Sequence, residues 1–206
     1  MKSSPLEKID LYKRHKDEYV APKKPALVKL KPAVYLAIDG QGPPGGTLFT
    51  AHIGALYGAA FTIKMTQKFG GRQDYAVCKL EGQWWTDESP DFSKVPKEQW
   101  RWKLLIRTPD FVGEDELKQA VAVLLKRGKP EEVKQVRLET LTEGMCVQML
   151  HVGPYERECE TIALMRGFAE SKHLAFHGRH HEIYLSDPRR VPPERLKTIL
   201  REPVRA

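Results

Sequence analysis

The stretch 34–40, Val-Tyr-Leu-Ala-Ile-Asp-Gly, is answered later by 147–153, Val-Gln-Met-Leu-His-Val-Gly, and each copy leads into a helical pattern. With a shorter connection in the second copy, Ile53, Leu56 and Ala60 align with Ile162, Met165 and Ala169. A recurrence on this scale predicts one supersecondary unit used twice, strand-helix-strand-strand, neither copy burying its apolar face alone. The fold class expected is α+β: duplicated units related by a pseudo-twofold, joined in an antiparallel sheet, with a central ligand groove between the halves.

The local patterns fit that frame. Val34, Leu36 and Ile38 share one face of a first strand, and Tyr35 and Ala37 the other. The Gly-Pro-rich loop 40–46 ends it, and Thr47 is the expected N-cap of a helix to about Lys68. Strands are expected at 75–85 and 100–107, the second with Trp100, Trp102, Leu104 and Ile106 alternating. Leu117, Ala120, Val121, Leu124 and Leu125 recur at helical steps, and Gly128 and Pro130 stop that helix. Further strands are expected at 133–141 and 144–152, a helix from Tyr155 to about Lys172, a strand at 180–186, and a short helix after Pro193.

The chain has 206 residues, 41% hydrophobic and 30% charged, which excludes a disordered polymer. Its apolar runs are too short to span a bilayer, and 1–10 lacks a signal peptide's apolar region, so a cytoplasmic protein with no membrane partner is expected. Cys78, Cys146 and Cys159 form no CxxC pair and read as free buried thiols. The net charge of +7 suggests nucleic acid. Its distribution argues otherwise: residues 1–32 carry +5, 187–206 carry +3, and the body between them −1. Basic, solvated ends on a neutral body make direct nucleic-acid binding unexpected. The domains expected are a basic N-terminal arm at 1–32, a small-molecule-binding domain at 33–201 and a C-terminal tail at 202–206.

The strand at 180–186 carries the most chemistry. Alternation puts His181, Ile183 and Leu185 on one side and His180, Glu182, Tyr184 and Ser186 on the other. If Ile183 and Leu185 face the helices, Glu182 and Tyr184 face the groove. A mid-strand carboxylate pairs with a base, stays wet or serves a function. Aromatic residues at predicted strand ends and helix starts, Trp85, Tyr155, Tyr57, Phe92, Trp100 and Tyr35 among them, would stack on a planar aromatic ligand and, with the acid, attract a cationic one. His173, His177, His180 and His181 match neither HExxH nor a Cys/His finger, so surface or hydrogen-bonding roles are expected and no metal. No GxSxG elbow, phosphate loop or dinucleotide fingerprint is present, and no cofactor is expected.

The segment 178–190, Gly-Arg-His-His-Glu-Ile-Tyr-Leu-Ser-Asp-Pro-Arg-Arg, with 191–201 after it, resembles the C-terminal signature of stand-alone GyrI-like small-molecule-binding proteins. Supporting matches are 56–61, 100–107 and His151-Val152-Gly153-Pro154-Tyr155, and the resemblance covers about 31–201. It implies the duplicated fold and the groove. It also implies kinship with the branch of cyclopropanoid cyclopropyl hydrolases, which add water to the strained ring of DNA-alkylating natural products. In that branch an essential glutamate sits among aromatics, and Glu182 is the matching position. The resemblance then assigns Glu182 to activating water, without a metal or cofactor; Tyr184, on the same strand face, is expected to orient the carboxylate or the ligand carbonyl, and a monomer is expected. A non-catalytic, drug-sequestering or gyrase-inhibitor-like protein would use the same groove and the same acid.

Overall fold

The computed structural model describes residues 7–89 and 94–206. Two single-turn helices, α1 (Leu11–Arg14) and α2 (Lys16–Tyr19), precede a short strand β1 (Ala26–Lys29). The first half follows as β2 (Ala33–Gln41), α3 (Thr47–Phe69), β3 (Glu81–Trp85) and β4 (Arg101–Arg107), and α4 (Glu114–Lys126) and β5 (Arg137–Leu141) complete it. The second half is β6 (Met145–Val152), α5 (Glu158–Ser171), β7 (Ala175–Phe176), β8 (His180–Tyr184) and β9 (Lys197–Arg205).

The strands make one antiparallel sheet in the order β1-β6-β9-β8-β3-β4-β2-β5, with β7 beside β9. Read outward from the β3–β8 pair, the two halves have the same order: β3, β4, β2 on one side and β8, β9, β6 on the other. That is the strand-helix-strand-strand unit twice, related by a pseudo-twofold between β3 and β8. Even the flanking strands correspond, β5 beside β2 and β1 beside β6.

One face of this sheet takes the three long helices, α3, α4 and α5. Leu36, Ile38, Trp102, Leu104 and Ile106 pack with Leu56, Ala59 and Ile63 of α3, and Leu117, Ala120 and Leu124 of α4 join the same cluster. In the second half Val147, Met149, Leu200 and Val204 pack with Met165 and Ala169 of α5. Each helix therefore buries a stripe read from its sequence period, and burial of such stripes is the main stabilising contribution. Gly40 is fixed by packing, since any Cβ there would enter the Trp102 ring.

The other face holds a buried network of charged groups, roofed by the N-terminal residues. His181 places Nε2 3.1 Å from Glu81 and Nδ1 2.9 Å from Glu143. Arg107 meets Glu18 at 2.6 Å, and Tyr19 donates its hydroxyl to Glu81 at 3.0 Å. Arg201 donates to the backbone carbonyl of Glu18 at 2.6 Å.

Several expectations change here. The segment 1–32 was expected as a solvated arm. From Ile9 onward it is docked: Ile9 bridges to Tyr75, Leu11 and Tyr19 are buried, and β1 extends the sheet beside β6. The tail 202–206 is likewise part of the fold, because 202–205 continue β9. The helix expected after Pro193 is one 3-10 turn, Pro193–Arg195, followed by this buried strand. The charges at both ends are thus partly internal, held by partners across the sheet. Tyr75 falls outside the strand expected at 75–85, which begins at Glu81, and 131–135 form a 3-10 turn ahead of β5. Gly46, not Thr47, is the N-cap of α3, so the first turn has no side-chain cap. Cys78 and Cys146 are buried, whereas Cys159 is exposed on α5.

Candidate functional site

On β8, the neighbours across the register fix which way each side chain points. Glu182 lies opposite Gly82 of β3 and Leu200 of β9, and Gly82 lies opposite Leu104. Because Leu104 and Leu200 pack under the helices, His180, Glu182 and Tyr184 project to the helix-bearing face. The expected orientation is reversed: Ile183 lies with Tyr19 and Ile199 under the N-terminal residues. The helix-bearing face is also where Glu182 meets the start of α5.

There four side chains converge, none more than 8% exposed: Glu158, His180, Glu182 and Glu202. His180 bridges two acids, with Nδ1 2.6 Å from Glu202 and Nε2 3.3 Å from Glu182. Glu158, in the first turn of α5, brings a carboxyl oxygen within 4.8 Å of the facing atoms of His180 and Glu182. Burial alone would lower the His180 imidazole, but Glu202 and Glu182 hold it well above its ordinary range. Burial, then the neighbouring Glu182, push the Glu158 carboxyl well above the usual carboxylate range. Glu158, His180 and Glu182 offer donors of the kinds that bind divalent cations, with Glu202 behind the imidazole.

Aromatic rings enclose this cluster on one side. The Tyr155 and Tyr184 rings meet edge to face at 6.0 Å, and Trp84 donates Nε1 to the Tyr184 hydroxyl at 3.1 Å. Trp84 in turn stacks on Phe49 of α3 at 5.7 Å and meets Trp100 edge to face at 5.9 Å. Burial and Glu182 keep the Tyr184 phenol well above its ordinary value, and burial raises that of Tyr155 to about 12. Both are neutral hydrogen-bonding rings at physiological pH.

The structure therefore brings together Glu182, Tyr184 and Tyr155, with Trp100 one ring behind. Tyr57, half-buried on α3, lies by the Leu80 backbone and the loop bearing Asp187 and Arg189, beyond the end of β8. Two expected site residues lie elsewhere. Trp85 alternates to the opposite face, where the Arg179 guanidinium sits 3.5 Å over its ring. Tyr35 is buried on that face with Ala37 and Leu105, near Arg107 and Arg201. Phe92 lies outside the described residues. Of the four clustered histidines, His180 and His181 are buried and hydrogen-bonded on opposite faces, and His173 is exposed.

Glu158, Glu202 and Trp84 were absent from the expected site. Glu158 reads as an ordinary acid in a helix's first turn, favoured there by the helix dipole. Glu202 falls in the segment expected as a tail. Trp84 carries no local signal beyond its ring, and its place opposite His180 follows only from strand register. Two cavities open beside the site and not on it. One of about 490 Å³ lies at the end of β8 between Leu185, Val191 and Val152, and one of about 300 Å³ beneath His151 and Thr161.

Fold and site define a class: a duplicated α+β domain with a buried acid cluster and aromatic rings on the face between its two pseudo-equivalent helices. Residues 23–205 match the model of the GyrI-like small molecule binding domain, and the chain belongs to that family. Among solved structures it is similar to an uncharacterized conserved protein from Listeria innocua. The two share 39% identity over 96% of this chain and 100% of that one, with a TM-score of 0.90. It is also similar to a hydrolase encoded by lin2189 from Listeria innocua, at 38% identity over 97% of this chain and 100% of that one, TM-score 0.89. The C-terminal domain of EcmrR shares the fold alone, at 11% identity over 88% of this chain and 97% of that one, TM-score 0.57. None of the curated proteins matches the chain. No described helix is long and apolar enough to cross a membrane.

Proposed function

We propose that this protein binds planar, aromatic or cationic small molecules and hydrolyses the cyclopropane ring of DNA-alkylating cyclopropanoid natural products. The observation that carries the reading is the position of Glu182: a mid-strand carboxylate beside His180, bordered by Tyr184 and Tyr155. The hydrolase from Listeria innocua, 38% identical over nearly the whole chain, supports the reaction class.

In this mechanism the flat dienone lies against Tyr155, Tyr184 and the rings behind them. Glu182 orients a water molecule and takes its proton as the oxygen attacks the unhindered ring carbon. The ring carbon–carbon bond breaks, its electron pair moves into the dienone, and aromatisation with strain release drives the step. The protein's contribution is position and a base, and no metal or cofactor takes part. Tyr184, its hydroxyl already bound to Trp84, is a positioning residue for the Glu182 carboxylate. We place the protein in the cytoplasm as a monomer.

A sequestering protein is the second reading, favoured by the ion pair that already engages Glu182 with His180. Incubation with a cyclopropanoid toxin separates the two by mass spectrometry. Catalytic formation of the water adduct, lost in Glu182→Gln, supports hydrolysis; stoichiometric protection with unchanged ligand supports sequestration. Full turnover by a folded Glu182→Gln variant overturns the role of that residue.

A further inference from the structure

Each face of the sheet buries a histidine of β8 between two acids, but the two settings differ. Under the N-terminal residues, His181 lies between Glu81 and Glu143, and those acids have further partners. Glu81 accepts from Tyr19 at 3.0 Å, and Glu143 accepts from Gln83 at 3.3 Å and stands 3.7 Å from Arg201. On the helix-bearing face, His180 lies between Glu182 and Glu202 with Glu158 beside them. There, among the described residues, no lysine or arginine pairs with any of the three acids, and three buried carboxyls share one imidazole. Two oxygens at this cluster are buried without a hydrogen-bond partner: Oε1 of Glu158 and Oγ1 of Thr198, residues 6% and 1% exposed. Thr198 is opposite Tyr184 on β9 and lies beside Glu158.

The donors specify the kind of cation that would satisfy them. Glu158, His180 and Glu182 bring one ligand atom apiece to within 4.8 Å of one another. Donors held about 2.0–2.2 Å from a zinc ion stand roughly 3.3–3.6 Å apart, so small side-chain rotations close the cluster onto an ion. Glu202 engages Nδ1 of His180 at 2.6 Å, which leaves Nε2, on the Glu182 side, as the ligating nitrogen. A carboxylate behind a ligating histidine is the usual way its ring is oriented toward a metal. Calcium takes six to eight oxygens and magnesium keeps several waters, whereas both cavities here open beside this packed site and not on it. One imidazole and two carboxylates in so small a space suit zinc. We propose that Glu158, His180 and Glu182 bind one divalent transition-metal ion of the zinc type, with Glu202 holding the imidazole.

The ion stands outside the hydrolytic step of the preceding section. It offsets the excess negative charge and ties the start of α5 to β8. A carboxylate that ligates an ion does not also take a proton from water, so ion and turnover exclude each other and the ion acts as an inhibitor.

The test takes the full chain, stripped with a chelator and dialysed, and titrates it with zinc against a chromophoric chelator. A parallel titration uses cobalt, whose visible spectrum reports its ligands. Expected are one ion per chain at micromolar affinity or tighter, and an anomalous-scattering peak between Glu158, His180 and Glu182 in zinc-soaked crystals. Glu158→Gln and His180→Gln, each shown folded by its circular-dichroism spectrum and melting temperature, should weaken binding more than tenfold, and Glu202→Gln about tenfold. Cys159→Ser, at an exposed position of α5, should bind as the native chain does. No saturable uptake, a peak confined to Cys159 or to surface histidines, or full affinity in both folded variants overturns the assignment; where a variant does not fold, the peak in the native crystal decides. Zinc should also stop turnover of a cyclopropanoid toxin, an arm that rests on Glu182 being the water-activating carboxylate of the preceding section. Turnover unaffected at full occupancy overturns Glu182 as a ligand. No turnover at any zinc level, with the ion bound as expected, removes the hydrolytic reading and leaves the metal site standing.

Discussion

The indole Nε1 of Trp84 donates a 3.1 Å hydrogen bond to the hydroxyl of Tyr184, joining β3 to β8 across the line where the halves of the sheet meet. Gly82 keeps this contact open. A Cβ at that position would stand 2.9 Å from the Tyr184 hydroxyl and 3.1 Å from the Trp84 nitrogen. Gly82→Ala should therefore displace the Tyr184 ring and detach it from Glu182. Turnover is expected to drop about tenfold or more, roughly the cost of misplacing one positioning group. Stopped assays beside a crystal structure of the variant check this, and an unmoved Tyr184 would sink the argument.

Glu18 and Arg107 form a buried pair that fastens the N-terminal residues to the sheet. Glu18→Ala removes the carboxylate partner of the guanidinium and leaves it the longer contacts to the hydroxyl and ring of Tyr19. A loss of about 3 kcal/mol or more is expected, as for other buried pairs broken from one side. Urea denaturation of the variant reads it directly; an unchanged midpoint contradicts the docked arrangement.

His181 adds a pH dependence of defined sign. Burial alone would lower its imidazole, but Glu143 and Glu81 raise it to about 9. The folded value exceeds the unfolded value of about 6.5, so the stabilisation is complete below about pH 6.5 and fades as pH climbs through about 9. Urea midpoints should fall over that alkaline window. His181→Gln should flatten the decline, and a wild-type profile rising with pH there would contradict it.

Trp85 belongs to the opposite face, held by Arg179. Trp85→Leu should leave the affinity for a planar ligand within about twofold while costing about 1 kcal/mol of stability from the lost cation–π contact. Calorimetric titration of the variant decides the point: a loss of binding tenfold or greater would return Trp85 to the site.

Much of this architecture is written in local patterns. The repeat between β2 and β6 marks the duplication, and α4 is bounded as its apolar period and Gly128 dictate. Glu182 and Tyr184 stand out because a strand with an acid at its centre is unusual. What was hidden depends on partners distant in sequence. β9 has charges at Arg201 and Glu202, which read as surface until Glu18, Gln148 and His180 satisfy them. The preceding prolines imitate a helix start. Glu158 resembles any acid in a first helical turn until the fold sets Glu182 beside it. Alternation on β8 was correctly read, but which face held the helices could not be, because both faces of this sheet are covered.

The position of β9 has a consequence for biosynthesis. It lies between β6 and β8, so β6 and its neighbour β1 have no connection through the sheet to the first half until β9 is in place. All the other strands of the sheet leave the ribosome earlier. The first half can pair its own strands during translation, whereas β6 must wait with one edge bare. That strand carries apolar Val147 and Met149, so until β9 pairs with it an open backbone edge stands beside exposed apolar side chains, a site for misplaced pairing with another chain.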